Sequence, residues 1–169
     1  TNTQPAEVTK FFVYLTFDDG PLGGTNDCVA ALAAKDITGT FFMVGTHMTA
    51  ARAPSVIAVN AGNNLIGNHS FSHKHPASNY ADPAVGGLTN VWWQQDFDDN
   101  DAKISAVLGA NKKMHVNVRL PGKNAWRVGA INKDDGNSKR VADHLSGVGY
   151  AIFGWDLEWA NKGYVPLQK

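Results

Sequence analysis

The sequence predicts an α/β fold organised around a parallel sheet, either open or closed into a barrel. Three observations lead there. Short runs rich in β-branched and aromatic residues alternate with stretches of helical periodicity, the pattern of successive βα units. The chain has 169 residues, the size of one domain with a sizeable core. It is also short of the ~250 residues of a complete eight-fold β/α barrel. Residues 1–169 show no repeat, low-complexity tract or linker, so they read as a single domain.

Residues 11–17, Phe-Phe-Val-Tyr-Leu-Thr-Phe, form the first buried strand. A helix over 26–36 follows. Thr25 caps it, Asp27 sits in its first turn, Val29, Leu32 and Ala33 share a face, and Gly39 lies past its end. Thr40–Val44 is the second strand. Pro54–Ala61 is a helix closed by Gly62, and Leu65–Gly67 is a short third strand. The spacing of Trp93, Phe97, Ile104 and Leu108 predicts a longer helix over 90–108. Val116–Arg119 is a strand, Lys139–Ser146 a helix and Tyr150–Trp155 the last strand. In such a fold the active site lies at the C-terminal strand ends.

Composition narrows the function. Lys plus Arg and Asp plus Glu number 15 each, so the formal net charge is zero. That argues against a broad nucleic-acid or anionic-membrane surface, because both need a basic excess. Charged residues make up 18%, there are 17 glycines and five tryptophans, and such a surface suits an uncharged partner such as a sugar. The longest apolar runs, such as 11–17, fall far below the ~18 residues of a membrane span. The start Thr-Asn-Thr-Gln-Pro carries no signal-peptide pattern. One cysteine, Cys28, excludes an internal disulfide and a Cys-rich zinc cluster; on a helix it reads as packed core.

Two motifs carry chemistry. Thr16-Phe17-Asp18-Asp19-Gly20 ends the first strand. Adjacent carboxylates are costly to bury without a cation, a hydrogen-bond network or protonation, although Asp and Gly also cluster in plain acidic turns. His69-Ser70-Phe71-Ser72-His73 follows the third strand. Two histidines at i and i+4 share a face if the segment is helical, and both then reach one metal. The segment lacks the Glu of His-Glu-x-x-His. A metal held by two histidines needs a third protein ligand and an open position for water. The aspartate pair supplies the ligand, with the other carboxylate left free as a base. Neutral imidazoles suit zinc and similar transition metals.

Thr-Phe-Asp-Asp-Gly followed about fifty residues later by His-Ser-x-x-His resembles the signature of the polysaccharide deacetylases, the NodB-homology domains of carbohydrate esterase family 4. Gly39-Thr-Phe-Phe-Met-Val-Gly45 is similar to the family's second strand, Arg119-Leu120-Pro121-Gly122 to its Arg-x-Pro segment, and Asp156-Leu157-Glu158-Trp159 to its Asp-x-x-Trp segment. The resemblance runs from about residue 11 to 160. It implies a distorted (β/α) barrel. It implies Asp19, His69 and His73 as ligands of Zn²⁺, with Co²⁺ or another divalent transition metal as substitutes. Asp18 would be the general base, Arg119 its partner and Gly122 the backbone donor to the oxyanion. Trp159 would wall the sugar pocket, and Asp156 would tune a catalytic histidine. Trp126 and Arg127 follow the third segment, where they line a sugar groove or pack in core or surface.

The implied activity is metal-dependent deacetylation of a carbohydrate, chiefly at N-acetyl groups of a GlcNAc-containing polymer or oligomer such as chitin, chitin oligosaccharide or peptidoglycan. Acetylated xylan is the ester-bearing alternative. The implied partner is the carbohydrate alone, for a monomer acting outside the cell or in the periplasm. One departure stands out: the family's Leu-x-His motif has no counterpart before Lys169. The barrel is therefore expected to be incomplete at its C-terminus, with the final motif region and the general acid missing. Truncation, a substitute acid and a carbohydrate-binding relative without turnover remain open. A phosphate-handling α/β domain is the more distant rival, but such sites use carboxylate and phosphate oxygens rather than a histidine pair.

Three other features read as structural. Asp96–Asp101 lacks the Gly and Glu of an EF-hand loop and reads as a solvated acidic helix face. Asn68-His69-Ser70 fits the glycosylation pattern by chance, because it overlaps the metal motif. Trp93 belongs to the core stripe, which leaves its neighbour Trp92 exposed, and Trp155 fills the barrel interior.

Overall fold

The computed structural model describes residues 12–109 and 117–158. Strands and helices alternate as β1 (Leu15–Gly20), α1 (Thr25–Ala33), β2 (Gly39–Met43), α2 (Ala53–Ala61) and β3 (Leu65–Asn68). A short α3 (Ala77–Tyr80) precedes the long α4 (Asn90–Leu108), followed by β4 (Asn117–Val118). β5 (Trp126–Val128), β6 (Ile131–Lys133), α5 (Lys139–Gly147) and β7 (Ala151–Ile152) complete the described chain. The sheet has seven strands in the order β1-β2-β3-β4-β7-β5-β6. The first five in that order are parallel, while β5 runs antiparallel to both β7 and β6. Among the described residues the sheet is open, with β1 at one edge and β6 at the other. This is the α/β architecture expected, as a barrel that does not close.

The β5–β6 hairpin is the element that the alternation of strands and helices did not reveal. Val128 pairs with Ile131 across a two-residue turn, and Gly129 there has φ 56°. A glycine first in a two-residue loop is the sequence signal of such a hairpin.

Consecutive parallel strands step in one direction from β1 to β4, and right-handed crossovers then put their helices on one face. α1 packs on α2, α2 on α4, and α4 on α5. Two apolar clusters lie beneath this row. One gathers Leu32, Phe41, Met43, Val56, Val59, Ile66, Ile104 and Leu108. The other gathers Tyr80, Trp93, Phe97, Val118, Leu120, Val141, Leu145 and Ile152. α4 joins them. Trp93 and Phe97 serve the second cluster, while Ile104 and Leu108, two to four turns on, serve the first. Thr89 caps this helix by accepting the Trp92 N–H at 3.1 Å.

Local expectations are adjusted in four places. The first strand starts at Leu15 and is not buried through its length: Phe12, Val13 and Tyr14 precede it and are 81%, 79% and 86% exposed, and Leu15 is 39% exposed. Thr25 is the first helical residue rather than the cap, and its hydroxyl instead accepts the Leu22 N–H at 2.9 Å. Trp92 is half-buried, packed edge-on against Trp93. Asp96 is not solvated: it is 6% exposed on the same face as Trp93 and Phe97.

Candidate metal and hydrolytic site

The two conspicuous motifs meet at the C-terminal ends of β1 and β3, with β2 and β4 contributing from either side. In a regular strand, consecutive side chains point to opposite faces, so Asp18 and Asp19 would diverge. The β1–β2 register prevents this. Phe17 pairs with Phe41 and Gly20 with Met43, so three steps on β1 match two on β2. That extra residue is a bulge, which re-aims side chains. Asp19 adopts φ 67° within it, a left-handed conformation that Asp tolerates better than most residues. Both carboxylates consequently face His69. Its Nε2 lies 3.4 Å from Asp19 Oδ1 and 4.0 Å from Asp18 Oδ2.

The histidine pair converges by a route different from the helical one. Residues 69–73 form a turn, not a helix, with Ser70 at φ 63° and His73 at φ 54°. The rings come together at a centroid distance of 5.0 Å, and His73 Nε2 sits 2.9 Å from Asp19 Oδ1. One ligand atom from each of Asp19, His69 and His73 lies within 4.8 Å of the other two. Tetrahedral zinc with bonds of ~2.0–2.1 Å needs ligand atoms roughly 3.3 Å apart, so the triad fits a metal.

The electronic preparation points the same way. His69 is 2% exposed. Its Nδ1 lies 2.8 Å from the Arg119 carbonyl, and a carbonyl only accepts, so Nδ1 carries the proton and Nε2 faces the carboxylates. A second partner of this kind orients metal-ligating histidines generally. Without a cation and with Nε2 of each ring protonated, hydrogen bonds from His69 and His73 hold the Asp19 carboxyl well below the usual carboxylate range, against the opposing effect of burial.

Arg119 is 3% exposed, and four of its five guanidinium N–H groups are engaged. Nη1 donates to Asp18 Oδ1 at 2.9 Å and to Thr16 Oγ1 at 2.8 Å. Nε and Nη2 donate to the carbonyls of Phe153 and Gly154. The group lies over the Phe42 ring at 4.3 Å and is 5.7 Å from that of Trp155. One residue thus orients His69 through its carbonyl and Asp18 through its side chain. Asp18 is left with Oδ1 engaged and Oδ2 turned toward His69.

The remaining candidates are placed as follows. Gly122 follows the Arg-Leu-Pro segment at φ 63°, and a Cβ there would approach the His75 side chain to 3.2 Å. Tyr80 fixes this loop by donating to the Pro121 carbonyl at 2.9 Å. Trp126 is half-buried. Its Nε1 donates to Asn124, which also pairs with both backbone groups of Trp155. Asp156 is exposed, and no hydrogen bond or ion pair holds it among the described residues. Trp159 lies outside the described residues.

Composition and spacing missed several groups. His47, after β2, places Nδ1 2.7 Å from the Asp19 carbonyl. Thr16 shares Arg119 with Asp18. Asn68 is buried and accepts the Ser70 N–H at 2.9 Å, which leaves it unsuited to glycosylation. Asp96 and Asn100 also support the histidine turn. They stand three and seven residues after Trp93, so the helical stripe already placed two polar residues on the buried face; that was the available signal.

The family model for polysaccharide deacetylases matches residues 6–134. A chitin disaccharide deacetylase of Vibrio alginolyticus is 24% identical over 92% of this chain and 49% of its own. A peptidoglycan-N-acetylmuramic acid deacetylase of Bacillus subtilis is 34% identical over 47% of this chain and 30% of its own. The chain therefore spans about half the length, or less, of these relatives. A family 4 carbohydrate esterase of Bacillus anthracis superposes with a TM-score of 0.64 at 23% identity, covering 88% of this chain and 60% of that one. The match covers most of the sequence, and its two leading motifs meet at one site. The chain belongs to the polysaccharide deacetylase family, the NodB-homology domains of carbohydrate esterase family 4.

Proposed function

We propose that this chain carries the metal-dependent site of a carbohydrate deacetylase, hydrolysing N-acetyl groups of a GlcNAc-containing polysaccharide or oligosaccharide. Chitin, chitin oligosaccharides and peptidoglycan are the substrates the relatives' activities favour. The observation that carries the reading is the approach of Asp19, His69 and His73 to one point, with Asp18 beside them and held by Arg119.

Asp19, His69 and His73 would hold the cation, zinc by the chemistry of two imidazoles and a carboxylate. When bound, zinc polarises the acetyl carbonyl and lowers the pKa of a water from 15.7 to about 7. Asp18 Oδ2 takes the proton of the attacking water, while Arg119 holds the other oxygen and prevents the carboxylate from rotating away. Such base catalysis contributes about 10²–10⁴-fold. The Gly122 N–H donates to the developing oxyanion, an interaction worth on the order of 3 kcal/mol. The C–N bond breaks as the nitrogen takes up a proton, in balance the one that Asp18 removed from the water, giving acetate and the free amine. Trp126 offers a sugar platform. On motif alone, Asp156 tunes the proton donor and Trp159 walls the pocket. No helix among the described residues is long and apolar enough to cross a membrane, and the proposed substrates place the activity outside the cell or in the periplasm.

Acetate release from chitin oligomers, measured before and after chelation and again after zinc is restored, tests this reading. The expected result is loss on chelation and recovery with zinc. Activity untouched by the chelator would overturn it.

A further inference from the structure

The turn that aims the two imidazoles is irregular, and its backbone accounting singles out one residue. His69 N–H donates to the Met43 carbonyl at 2.9 Å, and Ser70 N–H to Asn68 Oδ1 at 2.9 Å. Phe71 N–H donates to the Asp96 carbonyl at 3.0 Å, and Ser72 N–H to the Asp96 carboxylate at 3.1 Å. His73 N–H donates to Ser70 Oγ at 3.0 Å. All five N–H groups are engaged, and Asp96 alone takes two consecutive ones. It reaches across from α4, and its carboxylate is the only ionisable acceptor in the set. The turn holds two non-glycine residues at positive φ, a conformation that persists only where its surroundings over-determine it.

Asp96 does this at a cost to folding. It is 6% exposed, and burial pushes its carboxyl up, against the Ser72 N–H, which favours the ionised form. No cation faces it among its hydrogen-bond partners. Trp93 and Phe97, its neighbours on the same helix face, are core, so an apolar residue at 96 would pack without that penalty.

We propose that Asp96 is a positioning residue for the metal site: by clamping Phe71 and Ser72 it fixes the direction of His69 and His73, and so sets affinity for the cation without touching it. This rests on the metal reading above. Partners of ligand-bearing groups typically contribute 10–100-fold in metal affinity.

The test is zinc affinity by competition with a chromophoric chelator, alongside the melting temperature of the metal-free protein. Asp96→Ala is expected to bind zinc about 10–100-fold more weakly. Asp96→Asn retains an acceptor for the Ser72 N–H and should recover part of that loss. Val141→Ala, a cavity on α5 in the core cluster that holds Trp93 and Phe97, is the control that lowers the melting temperature and leaves zinc affinity unchanged. If Asp96→Ala does not fold, Asp96→Asn decides alone, with a weakening of about threefold or more expected. Wild-type affinity in folded Asp96→Ala, or in Asp96→Asn where it decides alone, overturns this inference and leaves the metal reading standing. A wild-type protein that binds no zinc overturns both.

Discussion

Two charged clusters sit on this sheet, and they differ in how their charges balance. At the β5–β6 hairpin, Arg127 donates to Asp134 at 2.7 Å and to Asp143 at 2.8 Å, while Lys139 pairs with Asp143 one helical turn away. Arg127 also donates to the Trp126 and Lys133 carbonyls. Two cations meet two carboxylates, so the charges of the cluster balance. At the ends of β1 and β3, two carboxylates meet one guanidinium, and the other groups within reach are imidazoles. The first arrangement holds a hairpin on a helix. The second carries one uncompensated negative charge beside two imidazoles, and that remainder is what makes it a candidate site.

The comparison breaks most sharply at the ligands. His73→Ala should abolish zinc binding and acetate release together, with little change in the melting temperature of the metal-free protein. Equilibrium dialysis and an acetate assay read both. Asp18→Asn should separate the two properties: zinc affinity stays, and kcat falls about 10²–10⁴-fold. Weaker zinc binding in that variant would place Asp18 among the ligands.

The hairpin cluster should respond in the opposite sense. Arg127→Ala strands a nearly buried Asp134 and two carbonyls, which costs about 3 kcal/mol of stability, read by urea denaturation, while kcat per folded molecule is unchanged. Asp96→Asn removes an acid that folding disfavours in its charged form. With the folded pKa above the ordinary value, the wild type carries its full penalty at neutral pH and sheds it as pH falls through the folded pKa. The variant is thus expected to be the more stable one near pH 7, the gap closing in acid; thermal melts across pH read this. Lys139→Ala removes an exposed pair one turn apart on α5 and should shift stability by no more than about 0.5 kcal/mol.

What the sequence disclosed follows the same division. Elements that obey local rules were legible. The 3.6-residue stripe of α4 gives Trp93, Phe97, Ile104 and Leu108, all buried, and the βα alternation gives the parallel strands. The site was legible in composition and order, because Asp-Asp and His-x-x-x-His name their chemistry. Its geometry was not. A bulge between Phe17 and Gly20 cannot be read from a strand pattern, nor can the positive φ of Ser70 and His73, which replaces the helical face assumed for the pair. Asp96 was hidden for another reason. It sits in a run of acids that resembles a solvated face, and only the helical phase relative to Trp93 separates it from exposed Asp98 and Asp99.

The central claim is that Asp19, His69 and His73 bind one cation while Asp18 stays uncoordinated. X-ray absorption at the zinc edge of the loaded protein tests it most directly. The account predicts two imidazole nitrogens and a carboxylate oxygen at ~2.0–2.1 Å, and no protein-bound zinc signal in His73→Ala. A spectrum with fewer than two imidazoles, or one that His73→Ala leaves unchanged, would contradict it.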